Sequence, residues 1–101
     1  MVVAISTFNE TGGQLEEGVR HVQEEVVPSL RGAKGLKTGY WIIDREQGQR
    51  LSILVWESAD AMSAAMPSVM AAVKRRRDEA GLSQPQRSPD GSRRFEVFAE
   101  L

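Results

Sequence analysis

Two neighbouring strand-like segments of this chain carry apolar side chains on both of their faces. Residues 36–44 (Leu-Lys-Thr-Gly-Tyr-Trp-Ile-Ile-Asp) and residues 50–57 (Arg-Leu-Ser-Ile-Leu-Val-Trp-Glu) are separated by a short polar link. An antiparallel sheet that carries helices on one face alternates between apolar and polar residues, and these segments do not. Because monomeric proteins seldom expose a large apolar patch, a chain of 101 residues needs a second molecule to cover one face of the sheet.

The predicted elements follow the order β-α-β-β-α-β. Runs of β-branched and apolar residues predict strands, and apolar residues at helical spacing predict helices. Strands are expected at residues 2–8, 36–44, 50–57 and 94–101, helices at residues 14–30 and 58–80, and a polar loop from Gly81 to Gly91 that includes Pro85. This order is typical of an α+β, ferredoxin-like sandwich, in which a four-stranded antiparallel sheet carries two helices on one face. Residues 1–101 are expected to form one domain.

Two prolines and one histidine qualify the helix predictions. Pro28 lies in the last turn of the first helix or begins a short continuation, and Pro67 predicts a kink or a break in the second. The apolar stripe of the first helix is formed by Leu15, Val19, Val22, Val26 and Leu30. His21 lies roughly 140° from the centre of that stripe on a helical wheel, so we expect its side chain to point into water.

The register of the predicted hairpin decides which aromatic residues share a face. If Gly48 adopts the left-handed conformation in a three-residue loop, Tyr40 faces Leu54 and Thr38 faces Trp56. A two-residue turn at Gln47 and Gly48 would shift this register by one. In the first register Tyr40 and Trp56 lie on the same face of the sheet.

An aromatic and methionine-rich surface is the candidate ligand site. Trp56 provides a flat wall and Tyr40 a phenolic hydrogen bond, whereas the alternative is that both are ordinary core residues. Asn9 is either a polar contact or a simple turn residue, and methionines at every fourth position form either a ligand wall or part of the core. The predicted ligand-binding residues are Ser6, Tyr40, Trp56, Met62, Met66 and Met70, and the best candidates for catalysis are Tyr40, Trp56 and Asn9.

Composition excludes several classes of site. The chain has no cysteine and one histidine, and no metal-ligand spacing is present, so no metal site is expected. The formal net charge is −1, and we interpret residues 74–77 (Lys-Arg-Arg-Arg) as a solvated helix end, not as a nucleic-acid site. We expect no membrane partner and, because an N-terminal secretion signal is not evident, a cytoplasmic location.

Three motifs carry a resemblance to a known group of proteins. They are Gly18-Val-Arg-His-Val-Gln-Glu-Glu-Val-Val-Pro-Ser-Leu30, Asp44-Arg45-Glu46-x-Gly48 and Val55-Trp56-Glu57-Ser58-x-x-x-Met62. With these motifs the chain resembles the antibiotic-biosynthesis-monooxygenase-like domains of the dimeric α+β barrel superfamily, close to small uncharacterised actinobacterial proteins. The resemblance implies a ligand pocket between the sheet and the helices of one subunit, and a homodimer formed through the other face of the sheet.

Two functions remain open at the level of the sequence. The resemblance implies a monooxygenase-like protein with a small apolar pocket, acting without a cofactor on small aromatic or phenolic substrates. The alternative is a non-catalytic homodimer that binds an apolar ligand or fills its pocket with its own side chains. Haem-degrading relatives use a histidine on the helix after the third strand, and residues 58–80 contain none, so haem binding of that kind is not expected.

Overall fold

The computed structural model describes residues 1–82 and 87–101, so Pro85 of the predicted loop lies outside the described residues. Four antiparallel strands form one sheet in the order β2-β3-β1-β4. Their bounds are Val2–Asn9 for β1, Leu36–Asp44 for β2, Gln49–Trp56 for β3 and Gly91–Glu96 for β4. The predicted element order and the ferredoxin-like α+β fold are confirmed, with helices on one face of the sheet.

Strand β4 begins and ends earlier than the predicted range of residues 94–101. It pairs with β1 from Gly91, opposite Thr7, to Glu96, opposite Val2. Its ladder therefore ends where β1 begins, which hydrophobic alternation alone does not reveal. Beyond it, the Phe98 side chain is 99% exposed.

Helix α1 spans residues 12–30 in three consecutive parts: an α-helix at Gly12–His21, a π-helical turn at Val22–Val26 and a short α-helix at Val27–Leu30. In the π-helical turn the Val27 N–H donates to the carbonyl of Val22, five residues back. This wider turn precedes Pro28, which has no backbone N–H to donate. The predicted short continuation at Pro28 is confirmed.

Helix α2 extends from Ala59 to Glu79 and contains Pro67 without being divided there, so the alternative of two abutting helices is wrong. Ser58 is the N-cap of this helix, because the Ala61 N–H donates to Ser58 Oγ at 3.0 Å. The N-cap satisfies one of the backbone donors that a helix start leaves free.

The β2-β3 hairpin has a different register from either predicted one. Its loop contains four residues, so Asp44 faces Gln49 and Tyr40 faces Ile53. The Asp44 carboxylate accepts a hydrogen bond from the Gln47 N–H at 3.0 Å, which stabilises the longer loop. Gly48 is left-handed, with φ of 66°, as expected. The change in register places Tyr40 and Trp56 on opposite faces of the sheet.

The face of the sheet away from the helices is mostly apolar, as predicted. Residues paired across antiparallel strands point to the same side, which defines this open face from the register. Its members are Val3, Ile5, Thr7, Thr38, Tyr40, Ile42, Leu51, Ile53, Val55, Gly91, Arg93 and Phe95. The side chains of Tyr40, Ile42 and Phe95 are 62%, 47% and 38% exposed.

The hydrophobic core lies between the helices and the other face of the sheet. Leu30, Trp56, Val69 and Val73 form its buried centre, and Trp56 has no exposed surface. Further residues pack against it, among them Trp41, Leu54, Met62 and Met66. The core is concentrated near the end of the sheet where β3 finishes.

Candidate functional site

A groove lies between helix α1 and the outer strand β2, and we call it the β2 groove. Its volume is about 420 Å³, which is within the usual range of about 300–1,000 Å³ for small-molecule sites. The groove is lined by Val19, Val22, Gln23, Val27, Gly39, Tyr40, Trp41, Ile42, Ile43, Arg45, Arg50 and Leu51. Apolar and aromatic walls with a few polar groups are typical of ligand sites.

Trp41 is the large aromatic surface on the helix side of this groove. A Cβ atom at Gly39 would come within 3.2 Å of the Trp41 ring and 2.8 Å of Leu54. The absence of a side chain at Gly39 therefore leaves space for the Trp41 indole on the helix side of β2. The first predicted register, with Tyr40 and Trp56 on one face, implies that Trp41 lies on the opposite face from Trp56. The observed register brings Trp41 to the same side as Trp56. The four-residue loop of the β2-β3 hairpin, which sets this register, was not predicted from the sequence.

Arg50 supplies a buried positive charge to the groove. Its side chain is 9% exposed, and its Nε donates to Glu10 Oε1 at 2.5 Å. The guanidinium group also lies 4.5 Å from the centre of the Phe8 ring, a cation–π contact. The contacts with Glu10 and Phe8 thus fix the position of this charge before any ligand binds. The other guanidinium of the groove, on Arg45, forms an exposed ion pair with Glu16.

Glu25 lies at the centre of a buried charged cluster between the two helices. Its side chain is 3% exposed and accepts hydrogen bonds from Arg20 and Arg77, each at 3.0 Å. His21 Nδ1 is 3.1 Å from the Glu25 carboxylate. Burial raises the pKa of Glu25, but the hydrogen bond with His21 and the neighbouring charges outweigh it, so the net pKa is lowered.

The prediction that His21 points into water is wrong. Its side chain is 13% exposed, and its Nε2 is buried without a hydrogen-bond partner among the described residues. Burial lowers the pKa of His21, and the charges of Arg77 and Arg50 lower it further, while Glu25 acts in the opposite direction. The His21 imidazole is therefore held between two helices, and its pKa lies below the ordinary value.

The helical wheel failed for His21 because the buried side of helix α1 is not its most apolar side. The buried residues of the helix include Leu15, Gly18, Val22 and Glu25. On a wheel of 100° per residue, His21 lies roughly 80° from the centre of this set, at its flank. Glycine and glutamate gave no sign of burial in the sequence.

The basic run at the end of helix α2 is partly buried, which corrects its interpretation as a solvated helix end. Lys74 is exposed and pairs with Asp78 at 3.2 Å. Arg77, by contrast, is 15% exposed, and its Nη1 lies 3.1 Å from His21 Nδ1. The run therefore anchors α2 to α1 through one of its members.

The predicted site residues do not meet in one place. Trp56 is fully buried in the core, and Met62 and Met66 pack against that core, whereas Met70 is 46% exposed. Tyr40 lies at the edge of the β2 groove but on the open face. The structure therefore brings Trp56, Met62 and Met66 together and separates them from Tyr40.

The two polar candidates of β1 have partners elsewhere in the sheet. Asn9 accepts from Gln49 Nε2 at 3.2 Å, and its backbone N–H donates to Asp90 Oδ2 at 2.6 Å. That hydrogen bond, followed by one from Arg87, lowers the pKa of Asp90. Ser6 lies with its hydroxyl 3.4 Å from that of Ser92. Asn9 thus ties the end of β1 to the hairpin and to the segment before β4.

A second cavity of about 500 Å³ lies between residues 29–34 and the first half of helix α2. Alanines form much of its wall, Arg31 and Lys34 also line it, and none of the predicted site residues does. Within residues 1–82 and 87–101, no group of three or more His, Cys, Asp or Glu side chains could hold a metal ion. In the same part of the chain, every helix is too short or too polar to cross a membrane.

The fold is that of the antibiotic-biosynthesis-monooxygenase-like structures, as the resemblance predicted. The monooxygenase ActVA-Orf6 of Streptomyces coelicolor, solved with Nanaomycin D, aligns with a TM-score of 0.71 at 16% identity over 99% of this chain and 89% of that chain. SnoaB of Streptomyces nogalater, a cofactor-independent oxygenase, aligns with a TM-score of 0.69 at 15% identity over 99% and 95%.

A haem-degrading protein has the same fold. MhuD of Mycobacterium tuberculosis, solved with two haems in its active site, aligns with a TM-score of 0.66 at 19% identity over 100% of this chain and 99% of that chain. At such identities the similarity establishes the fold and leaves the activity open.

Sequence similarity adds an actinobacterial relative of unknown activity. The uncharacterized protein Rv2557 of Mycobacterium tuberculosis is 33% identical over 55 residues, which is 54% of this chain and 25% of that protein. This chain therefore matches only a quarter of its curated relative. No family model matches the chain.

Proposed function

We propose that this chain binds a small planar aromatic compound with an acidic oxygen in the β2 groove, and that it acts on this compound as a cofactor-independent oxygenase. The observation that carries the proposal is the pairing of an indole wall, Trp41, with the buried guanidinium of Arg50 in one groove. The indole stacks on an aromatic ring, and the guanidinium stabilises a phenolate or enolate oxygen.

A buried donor without an acceptor supports a ligand near this region. Trp56 Nε1 is buried and has no hydrogen-bond partner among the described residues. An unpaired buried N–H costs about 1–3 kcal/mol, which a ligand oxygen or a buried water would recover. Trp41, which lines the groove, packs against the core cluster that contains Trp56.

The proposed reaction needs no redox-active side chain. A deprotonated, electron-rich ring can itself reduce dioxygen, and the protein then supplies orientation, a dry surface and a positive charge for the ring oxygen. Arg50 suits this role because Glu10 and Phe8 hold its guanidinium in place. A preorganised charge stabilises the developing anion without the cost of rearrangement.

Haem is not part of this proposal, because the available donor does not fit it. The chain has one histidine, and its Nδ1 lies between Glu25 and Arg77. Helix α2, where the haem-degrading relatives place their histidine, contains none.

The proposal includes a homodimer formed through the open face. Eight of its twelve positions are apolar residues, and a second copy of the same face is the simplest cover for them. Light scattering at micromolar concentration is expected to give twice the mass of the chain. A monodisperse monomer would contradict the dimer.

Calorimetric titration with 1-naphthol tests the groove, since this probe is planar and carries one acidic hydroxyl. Wild type is expected to bind it, and Trp41→Ala is expected to weaken binding at least tenfold, because the stacking surface is lost. Arg50→Gln is unsuitable as a first test because it also breaks the buried pair with Glu10. No binding by the wild-type protein would contradict the proposed site.

Met70→Ala is the matched control, because Met70 is exposed and does not line the groove. It is expected to leave the affinity unchanged. If Met70→Ala weakens binding and Trp41→Ala does not, the ligand lies on the methionine side of helix α2, as the sequence alone suggested. Oxygen uptake with 1,4-dihydroxynaphthalene, measured against the rate without protein, then separates an oxygenase from a binding protein.

A further inference from the structure

We propose that the β2 groove is a complete binding site only when a second copy of the chain covers the open face, so that ligand binding and dimerisation promote each other. This inference rests on the proposed function, because it concerns the same groove. Beyond that function, the partner subunit becomes part of the binding site.

The groove reaches around the free edge of the sheet. Strand β2 is an edge strand, which within residues 1–82 and 87–101 pairs with β3 alone. Trp41 and Ile43 line the groove from the helix side of β2, and Tyr40 and Ile42 line it from the open side. One cavity is thus bounded by both faces of the same strand, so whatever covers the open face also lies at the rim of the groove.

Tyr40 connects the two surfaces most directly. It is 62% exposed in the isolated chain although it lines the groove, and it faces Ile53 near the middle of β3. A phenol ring in this position is wetted from the open side when the chain is alone. A covering subunit would exclude that water and hold the ring against a ligand.

The dimensions of the open face suit a second copy. Four strands about 4.8 Å apart, each with roughly seven residues at about 3.4 Å per residue, make a face of roughly 450 Å². Two such flat faces bury roughly 900 Å² in total, which approaches the ~1,000 Å² of a specific interface. Side chains that project from the sheet add to this area.

The charge on the open face also favours self-association. Arg93 is its one charged residue, and its guanidinium lies 4.6 Å from the centre of the Phe95 ring on the same face. An almost uncharged, apolar surface meets a copy of itself without like-charge repulsion, whereas a strongly charged partner would find no complementary group there.

Coupling has a quantitative consequence. If the covering subunit tightens ligand binding by some factor, the ligand must tighten the dimer by the same factor. The affinity for a probe should therefore fall when the protein is diluted below the dissociation constant of the dimer.

The test compares Val3→Lys with Ser63→Lys, using 1-naphthol as the probe. Val3 lies on the open face two strands away from the groove, so a lysine there places like charges together in a dimer without touching the groove lining. Ser63 is exposed on helix α2 and receives the same charge. Val3→Lys is expected to be monomeric and to bind the probe at least tenfold more weakly, while Ser63→Lys matches wild type in both respects.

Dilution of the wild-type protein repeats the test without a mutation, in case Val3→Lys does not fold. Probe affinity is expected to fall with the dimer fraction, and saturating probe should shift sedimentation toward the dimer. A monomer that binds the probe as tightly as the dimer overturns the coupling and leaves the proposed function standing. A wild-type dimer that does not bind the probe overturns both.

Discussion

Gly18 of helix α1 lies directly against the guanidinium group of Arg50 in strand β3. A Cβ atom at position 18 would come within 2.5 Å of Arg50 Nε. The arginine is 7% exposed and is fixed by Glu10 and Phe8. A glycine inside a helix normally weakens the helix. At position 18 it also allows the helix backbone to contact the buried guanidinium of Arg50, which a larger residue would prevent.

Gly18→Ala is expected to destabilise the protein by about 1–3 kcal/mol, because the added methyl group overpacks the site and displaces the guanidinium from its contacts with Glu10 and Phe8. Urea unfolding followed by circular dichroism measures the change. Gly13→Ala in the same helix is the matched control, since nothing lies within 4 Å of a Cβ there, and it should stabilise by up to about 1 kcal/mol. Equal gains in both variants would contradict the close contact.

The buried carboxylate of Glu25 and the exposed carboxylate of Glu24 can be compared by the same substitution. Glu25→Gln removes the negative charge that faces Arg20, His21 and Arg77, which is expected to cost roughly 3 kcal/mol because the largely buried guanidinium of Arg77 loses the counter-charge of Glu25. Glu24 is 60% exposed and pairs with Arg20 at 2.7 Å. Glu24→Gln is therefore expected to cost less than about 0.5 kcal/mol. Similar losses in the two variants would show that the cluster is not a buried one.

Stability should fall on acidification because of His21. Burial lowers its pKa in the folded protein, whereas the unfolded chain binds a proton near the ordinary value of about 6.5. The unfolded state therefore holds more protons between that value and the lowered pKa, so the free energy of unfolding decreases as the pH falls through this window. Above it, His21 is neutral in both states and contributes no slope.

Since His21 is the only histidine, proton NMR of its ring gives the folded pKa without assignment. The pKa is expected below 6.5, and His21→Gln should flatten the stability profile between pH 7 and the folded pKa. A ring that titrates at or above 6.5 would contradict a neutral imidazole among Glu25, Arg77 and Arg50.

The two tryptophans report separately on the core and the groove. Trp56 has no exposed surface, so Trp41→Phe, which keeps only Trp56, is expected to emit at short wavelength and to resist quenching by acrylamide. Trp56→Phe keeps Trp41 at the groove, and its emission should be quenched by acrylamide and altered by 1-naphthol. The reverse assignment would contradict the observed hairpin register.

Much of the fold followed from local patterns. Five of the six predicted elements lie within two residues of their observed bounds, because β-branched runs and helical spacing determine them locally. Strand β4 was misplaced since its limits depend on pairing with β1, a partner more than eighty residues away in sequence. The hairpin register was wrong because one extra loop residue exchanges the two faces of a strand.

The candidate site was less predictable for the same reason. For Trp56, the alternative of an ordinary core residue is correct. Tyr40 and Trp41 lie on the opposite faces from those implied by the first predicted register, because the observed hairpin register differs from it by one residue. His21 was assigned to water because it lies far from the apolar stripe on a helical wheel, and Glu25 gave no sign of burial because charged residues are normally exposed. Their contacts with Arg20 and Arg77 stabilise the burial of both side chains.

The sequence by itself determined the element order, the fold class and the apolar character of both sheet faces, since these depend on hydrophobic periodicity within short segments. The tertiary structure decided which aromatic residue lines the groove and where the buried charges lie. Those features depend on strand register and on contacts between helices, in which residues distant in the chain satisfy one another's charge and volume. A hydrophobic pattern contains no information about such partners.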